Sequence, residues 1–280
     1  LKEFYFDKRS AYFDDYVRRY TDMPNLVQLE ERTLADGRKV MVPGHYLRAS
    51  DFNGKLGQAN NPEWKTVAFD TTGKAIMPNG SIGFRWGEEG KWNLKDEAKN
   101  TKARLQMTLL LDKDHDAIMD VAFPWFGAGA SNGFVVDERQ PILNRKVPVK
   151  SIRLANGQTQ YVATVFDLLC ANYSLDRGLG GEHVTRDYDA DVPFTPAWAE
   201  KITGVNRDKI IQVAREFASN AEKTKGRSMI IIGAAMNHWY HMDMNYRAAI
   251  NMLIFCGCIG QSGGGWAHYV GQEKLQIGRA

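Results

Sequence analysis

The sequence has little cysteine: Cys170, Cys256 and Cys258 are three in 280 residues and cannot all pair with one another. A disulfide scaffold is excluded, and this usage fits a reducing compartment. The Cys256-Gly257-Cys258 spacing is not the C-x2-C of common zinc sites, and it closes an apolar helical stretch, where thiols behave as small buried hydrophobes. No run approaches 18 apolar residues: the most hydrophobic stretches, Ser228 to Met236 and Ala248 to Gly260, are short and interrupted by polar groups, so nothing reads as a membrane span. Charge of one sign does not accumulate either, because 36 basic and 33 acidic residues are interspersed for a net charge of +3. Without a basic stripe, nucleic acid is a poor partner. There is no internal repeat, no low-complexity segment and no basic start leading into an apolar run. The opening Leu1 and a motif that stops soon after Lys274 suggest an excerpt of a longer chain.

What is present suits a core. Hydrophobic residues make up 44% and aromatics 11%, while 26 Gly point to a loop-rich architecture with close backbone approaches. From Phe4 to Tyr20 the aromatics Tyr5, Tyr12, Phe13, Tyr16 and Tyr20 recur at helical spacings, predicting one amphipathic helix that ends before Pro24. Between Gln28 and Lys146 short apolar runs alternate with turn signals such as Pro78-Asn79-Gly80, which predicts β-hairpins and loops. The clearest hairpin spans Val147 to Thr164; a two-residue Asn156-Gly157 loop would set Leu154 opposite Thr159 and Ile152 opposite Tyr161. Val147 and Val149 are odd while Ile152 and Leu154 are even, which calls for a bulge near Lys150-Ser151.

Helices are expected over Val165 to Asn172, after the Thr195-Pro196 start, and over Arg207 to Ala218 behind Asn206, with Ile210, Val213, Ala214 and Phe217 on the apolar face. Ser228 to Gly233 reads as a fully buried strand. A further helix covers Asp243 to Phe255, with Tyr246, Ile250, Leu253 and Ile254 on one face, ended by Gly257 and Gly260. Helix, strand, loop and helix in this order suit a doubly wound α/β unit.

The buried strand delivers its carboxyl end into Asn237-His238-Trp239-Tyr240-His241, where ligands of open α/β sheets bind. Several hydrogen-bonding and stacking groups in so short a stretch suit a large polar heterocycle. His238 and His241 could share a helix face, but no third ligand stands at a persuasive interval beyond Asp243, so no metal site is assigned. Gly263-Gly264-Gly265 would let the backbone approach a pyrophosphate, with His268, Gln272, Glu273 and Lys274 close behind. The run is neither G-x-G-x-x-G nor a P-loop, which disfavours nicotinamide and ordinary nucleotide triphosphate binding.

Together, Gly226-Arg227-Ser228-Met229-Ile230-Ile231-Ile232-Gly233, Asn237-His238-Trp239-Tyr240-His241 and the stretch from Ile254 to Lys274 closely resemble the catalytic α subunits of membrane-bound respiratory nitrate reductases. The resemblance extends upstream through Thr195 to Ala218, Pro78 to Gly87, Asn61 to Phe69 and Tyr16 to Pro24, and is loosest between Asp96 and Glu138. It implies a central fragment of a molybdenum enzyme carrying two molybdopterin guanine dinucleotides, with parts of two doubly wound dinucleotide-binding lobes and a β-hairpin and loop-rich insertion. The corresponding division is 1–27, the helical end of one lobe; 28–194, the insertion; and 195–280, the segment with the dinucleotide-binding loop. The implied reaction is reduction of nitrate to nitrite with electrons from quinol. Nitrite oxidation, reduction of another oxyanion such as chlorate, and a segment inactive when isolated remain alternatives. The resemblance implies Asn237 and His238 near the pterin or the nitrate funnel, with His241, Gly264, Gly265, His268 and Gln272 as further cofactor contacts. The ligands of the [4Fe-4S] cluster and of molybdenum lie outside the matched part. Expected partners are an iron-sulfur β subunit and a membrane cytochrome b γ subunit, which would hold the chain at the cytoplasmic face of the membrane.

Overall fold

The computed structural model describes residues 1–53, 56, 62–78, 106–124, 142–233, 236 and 238–268. The chain divides into two compact units: Leu1–Val17 with Asp208–Ala280, and Arg18–Arg207.

The Arg18–Arg207 unit is built on a five-stranded antiparallel sheet in the order β2-β1-β7-β6-β5. Its strands are β1 (Leu26–Thr33), β2 (Lys39–Tyr46), β5 (Ala117–Pro124), β6 (Ile142–Arg153) and β7 (Thr159–Thr164); β3 (Ala68–Phe69) and β4 (Ala75–Ile76) form a separate small ladder. The sheet curls until its edge strands β2 and β5 come alongside each other. Val27, Leu29, Val121, Val147, Val149 and Ala163 pack inside the curl with Leu168 and Ala171 of α2 (Val165–Asn172). Leu26, Ile152 and Val162 point the other way, into a second cluster with Leu47, Phe52, Val67, Phe69 and Leu111.

That second cluster corrects the expected bulge. β6 pairs with β5 through Val149 and then with β7 from Lys150, in regular register throughout. The change of parity between Val149 and Ile152 needs no extra residue, because both faces of the sheet are covered. The hairpin register is also corrected by one residue: Arg153 lies opposite Thr159 and Ile152 opposite Gln160. Leu154 N–H donates to Gln158 at 2.9 Å and Gly157 N–H to Leu154 at 3.0 Å. With Gly157 at φ 86°, Ala155-Asn156-Gly157 is a three-residue loop, a tight turn followed by a left-handed residue.

Two buried ionic clusters tie loops to α2. Thr164 caps the helix, accepting from Asp167 N–H at 2.9 Å. The fully buried Asp167 carboxylate accepts from Leu111 N–H at 3.0 Å and from Arg177 Nη1 at 2.7 Å. Burial pushes its carboxyl up, against the opposing pull of the Arg177 charge. Arg145 is the largest fully buried side chain. It donates to Ala171 and Asn172 carbonyls at 2.6 and 2.7 Å and to Ser174 Oγ at 2.8 Å. α3 (Pro196–Thr203) starts as its sequence predicts, Thr195 Oγ1 accepting from Trp198 N–H at 3.1 Å.

The other unit carries a parallel strand pair, β8 (Met229–Ile232) and β9 (Gly265–His268), with α5 (Met242–Phe255) as the crossover. Its core joins Phe4, Phe13, Ala218, Ala221, Leu253, Cys256 and Cys258, with Ile230 and Trp266 against it. The single amino-terminal helix expected over Phe4 to Tyr20 is interrupted: a π-helical turn covers Lys2–Asp7, Arg9 takes φ 51°, and α1 runs Ala11–Tyr20. An unbroken helix turns 100° per residue and would put Phe4 and Phe13 on opposite sides. The break brings their rings to 5.6 Å in one core. α4 (Arg207–Thr224) outruns its expected end and packs through Phe217, Ala218 and Ala221, while Val213 is exposed.

Candidate functional site

Parallel pairing fixes which residues share an end of the sheet. Met229 lies opposite Gly265 and Ile232 opposite His268. The carboxyl end therefore presents His268 together with the chain that leaves β8 through Gly233 towards His238 and His241. His238, Trp239, Tyr240, His241 and His268 are all exposed. The Tyr240 and His241 rings stand 3.8 Å apart, and His241 adopts φ 55° directly before α5. Tyr246, one turn into α5, places its hydroxyl 3.3 Å from His268 Nε2 and its ring edge-on to Trp266 at 5.3 Å.

Asn237 and Gln272 lie outside the described residues. Tyr246 was not among the residues singled out for the site. Its place on α5 was legible as a helix-face residue, but its contact with His268 depends on a crossover that returns β9 beside β8.

Gly264 and Gly265 sit at the other end of the same strands, roughly 10 Å away at the strand rise per residue. A Cβ on Gly264 would meet the Gly226 carbonyl oxygen at 2.0 Å, and Gly265 N–H donates to Ser228 at 3.0 Å. The chain's own backbone thus requires a residue without a side chain at 264. His238 and His241 follow β8 in the chain and His268 ends β9, whereas the glycine run leads into the start of β9.

Chemically, the carboxyl end offers imidazole and phenol hydrogen-bonding groups and aromatic faces for a large polar ring system. The start of a helix the length of α5 also favours an anion, although Asp243 in its first turn already takes part of that role. Among the described residues no three His, Cys, Asp or Glu side chains converge to hold a metal ion. No helix among them is long and apolar enough to cross a membrane.

A rival opening of about 660 Å³ lies at the seam of the curled sheet, lined by Arg38, Lys39, Asp120, Asn144, Lys146 and Glu182. Its charges are matched locally: Lys146 pairs with Asp120 at 2.8 Å, Lys39 with Glu31 at 2.8 Å and Arg38 with Asp36 at 2.7 Å. That leaves the carboxyl end of β8 and β9 as the stronger candidate.

The exposed aromatic and imidazole groups beyond the strands of this βαβ crossover stand where α/β proteins take ligands at a sheet's carboxyl edge, and the unit is of the α/β class. Within that class the chain belongs to the molybdopterin oxidoreductase family, whose model matches residues 80–277. It is 58% identical over 276 residues to the respiratory nitrate reductase 1 alpha chain of Escherichia coli (strain K12), covering 99% of this chain and 22% of that one. With the nitrate reductase alpha chain of Bacillus subtilis (strain 168) it shares 40% over 277 residues, 99% of this chain and 21% of the relative. A perchlorate reductase subunit alpha of Dechloromonas aromatica (strain RCB) is 35% identical over 123 residues, 44% of this chain and 11% of the relative. The chain spans about a fifth of the length of the nitrate reductase chains it matches.

Proposed function

We propose that the chain is a segment of the catalytic α subunit of a respiratory nitrate reductase, in which nitrate, two protons and two electrons give nitrite and water. The observation that carries this reading is the 58% identity sustained over 99% of the chain. The cofactor of the reading is molybdenum held by two molybdopterin guanine dinucleotides, which when bound supplies oxygen-atom transfer and redox chemistry. The exposed donors and rings at the carboxyl end of β8 and β9 fit such a group. His238 and His241, with Asn237, would hydrogen-bond and orient it or line the path of nitrate, and Tyr246 would hold the His268 ring in position beside it. Gln272 completes the set. Gly264 and Gly265 support the same site from the opposite end, by letting β9 start against Gly226.

In this reading the [4Fe-4S] and molybdenum ligands belong to parts of the subunit beyond these residues. The β8–α5–β9 segment is part of a doubly wound lobe, within the 195–280 division; the helical end over 1–27 contributes Phe4 and Phe13 to the core of that same unit, and 28–194 is the insertion that separates them in sequence. Electrons come from quinol through an iron-sulfur β subunit and a cytochrome b γ subunit, which keep the α subunit peripheral at the cytoplasmic face. Taken alone, the 280 residues are a structural segment without turnover.

The similarity to a perchlorate reductase subunit supports a second reading, reduction of another oxyanion by the same kind of centre. Both are tested in the full-length enzyme by replacing His238 with Ala and measuring molybdenum content and oxidation of reduced viologen by nitrate and by chlorate. Loss of activity or of cofactor is the expected result, and nitrate should outpace chlorate in the parent. Unchanged turnover and unchanged molybdenum would remove His238 from the site.

A further inference from the structure

Two hairpin tips of the five-stranded sheet are built on the same turn. At the β1–β2 tip Leu34 N–H donates to the Arg38 carbonyl at 2.8 Å and Gly37 N–H to the Leu34 carbonyl at 2.9 Å, the pattern that Leu154, Gly157 and Gln158 make between β6 and β7. Gly37 at φ 85° matches Gly157 at φ 86°. The sequences agree as well, Leu34-Ala35-Asp36-Gly37 against Leu154-Ala155-Asn156-Gly157, and differ at the residue before the glycine. In both tips that residue's side-chain oxygen accepts from the backbone two residues on, Asp36 from Arg38 N–H at 3.0 Å and Asn156 from Gln158 N–H at 2.9 Å. Aspartate and asparagine therefore fill one geometry, but only asparagine carries a leaving group that departs as ammonia. Asn156 and Gly157 are both exposed, and a Cβ built on Gly157 would meet nothing within 4 Å, so a ring closing between them has room. The Gln158 N–H already sits on Asn156 Oδ1, the atom on which negative charge gathers when the amide carbon is attacked. Gly157 N–H is bonded to the Leu154 carbonyl at 3.0 Å, so attack waits for a local opening, which an exposed tip makes at small cost.

We propose that Asn156 is a site of spontaneous covalent modification, converting with water to aspartate and isoaspartate through a cyclic imide closed by the Gly157 nitrogen. Gly157 N–H gives its proton to hydroxide, and its nitrogen forms a bond to Asn156 Cγ. The Cγ–Nδ2 bond breaks, and Nδ2 takes a proton from water and leaves as ammonia. A second water opens the imide. Attack at Cγ returns the ordinary chain with an aspartate at 156, and attack at the backbone carbonyl carbon gives isoaspartate, in which the chain runs through the side-chain carbons. No oxidant or reductant takes part. Asp36 shows that the turn accepts the first product as it stands. Isoaspartate lengthens the backbone of the tip by one atom and works against the closure between Leu154 and Gln158. Asp36 does not share the reaction: its carboxyl is held below the usual range by the Arg38 backbone N–H and then by the guanidinium at 2.7 Å, and an ionised carboxylate is a poor target for the glycine nitrogen.

The test incubates the full-length subunit, folded and urea-unfolded, at pH 7.5 and pH 9, digests it under mildly acidic conditions and fragments the peptide that contains position 156. The acid forms should accumulate at 156 in the folded subunit at no less than about one-hundredth of the unfolded rate, the cost of opening an exposed tip. The rate should rise roughly tenfold per pH unit, as for a step that needs the amide proton removed. Part of the product should accept a methyl group from an isoaspartyl methyltransferase used as a probe, while position 36 gains none. Asn156→Gln, whose longer side chain disfavours the five-membered ring, should lose the signal. Conversion in the unfolded subunit with none in the folded one would overturn the proposal, because the turn would then hold Gly157 N–H out of reach. Ammonia loss at 156 without any isoaspartate, or a signal that persists in Asn156→Gln, would overturn it as well, the first by removing the imide and the second by assigning the change to another residue.

Discussion

Arg145 shows how one side chain can close a loop over a sheet. Its guanidinium leaves β6 and donates to the carbonyls of Ala171 and Asn172 in the last turn of α2, where helix carbonyls run short of intrahelical donors, and to the hydroxyl of Ser174. Burial lowers its pKa to about 10, which still leaves it charged at neutral pH. Arg145→Met keeps the bulk and removes the donors, so buried acceptors lose their partners at about 1–3 kcal/mol each. Hydrogen exchange of the 170–175 amides in the full-length subunit should accelerate by at least tenfold. Unchanged protection there would mean that water replaces the guanidinium without cost.

The three thiols make a second case at this scale. Burial pushes Cys170 and Cys256 up to about 12, and it raises Cys258 as well. A thiol in that range is almost wholly protonated at pH 8, and only the thiolate is nucleophilic. Iodoacetamide at pH 8 should therefore leave Cys170 and Cys256 unmodified in the folded protein, and Cys258 as well because its side chain is buried, and should label all three after unfolding. Rapid labelling of Cys256 or Cys258 in the native state would contradict their placement in the core.

Among the elements, the tyrosines of the amino-terminal segment explain a spacing that the sequence displays without its purpose. Tyr5, Tyr12 and Tyr16 donate to the carbonyls of Phe255, Gly257 and Ile259 at 2.6, 2.7 and 2.9 Å, alternate residues of the chain leaving α5. Periodicity marked these residues as helical, but a hydroxyl's acceptor some 245 positions away has no local signature. The same limit applies to the hairpin. Asn156-Gly157 announced a turn, yet its length was decided by Gln158 N–H, which bonds Asn156 Oδ1 at 2.9 Å and commits Gly157 to the left-handed region. The helix start at Thr195-Pro196 was legible because the partner of its cap, Trp198 N–H, lies three residues on. Burial of β8 was half legible: composition told that both faces are apolar, not that only one is covered by these residues.

Glycine need can be separated by element. Gly157 has open space around its Cα, so Gly157→Ala meets only the left-handed backbone penalty, about 1 kcal/mol. Gly264→Ala meets the Gly226 carbonyl at 2.0 Å and must move one strand start away from the other. Thermal unfolding of the two variants in the full-length subunit should rank Gly264→Ala as the more damaging by several degrees. Equal midpoints would mean that the 263–265 turn yields freely, and that its glycines serve something other than the packing at Gly226.

At the scale of the molecule, the two units differ in how complete they are. The Arg18–Arg207 unit covers its sheet on both faces, with one cluster around Val147 and another around Val67, and its buried charges Arg145 and Asp167 find partners inside it. Long-range antiparallel pairing and two internal cores are what an independently folding domain requires. Among the described residues the Leu1–Val17 with Asp208–Ala280 unit has one covered sheet face, two strands and an exposed apolar helix side, and two strands alone do not make a stable sheet. Expressed as separate proteins, residues 18–207 should unfold in a single cooperative urea transition, because their hydrophobic burial is nearly self-contained. Residues 208–280 joined to 1–17 by a flexible linker should bind hydrophobic dye and lack such a transition, because Met229, Ile231, Met244 and Ile250 await cover. A cooperative transition in the second protein, or its absence in the first, would reverse this assignment of where the chain's own residues suffice.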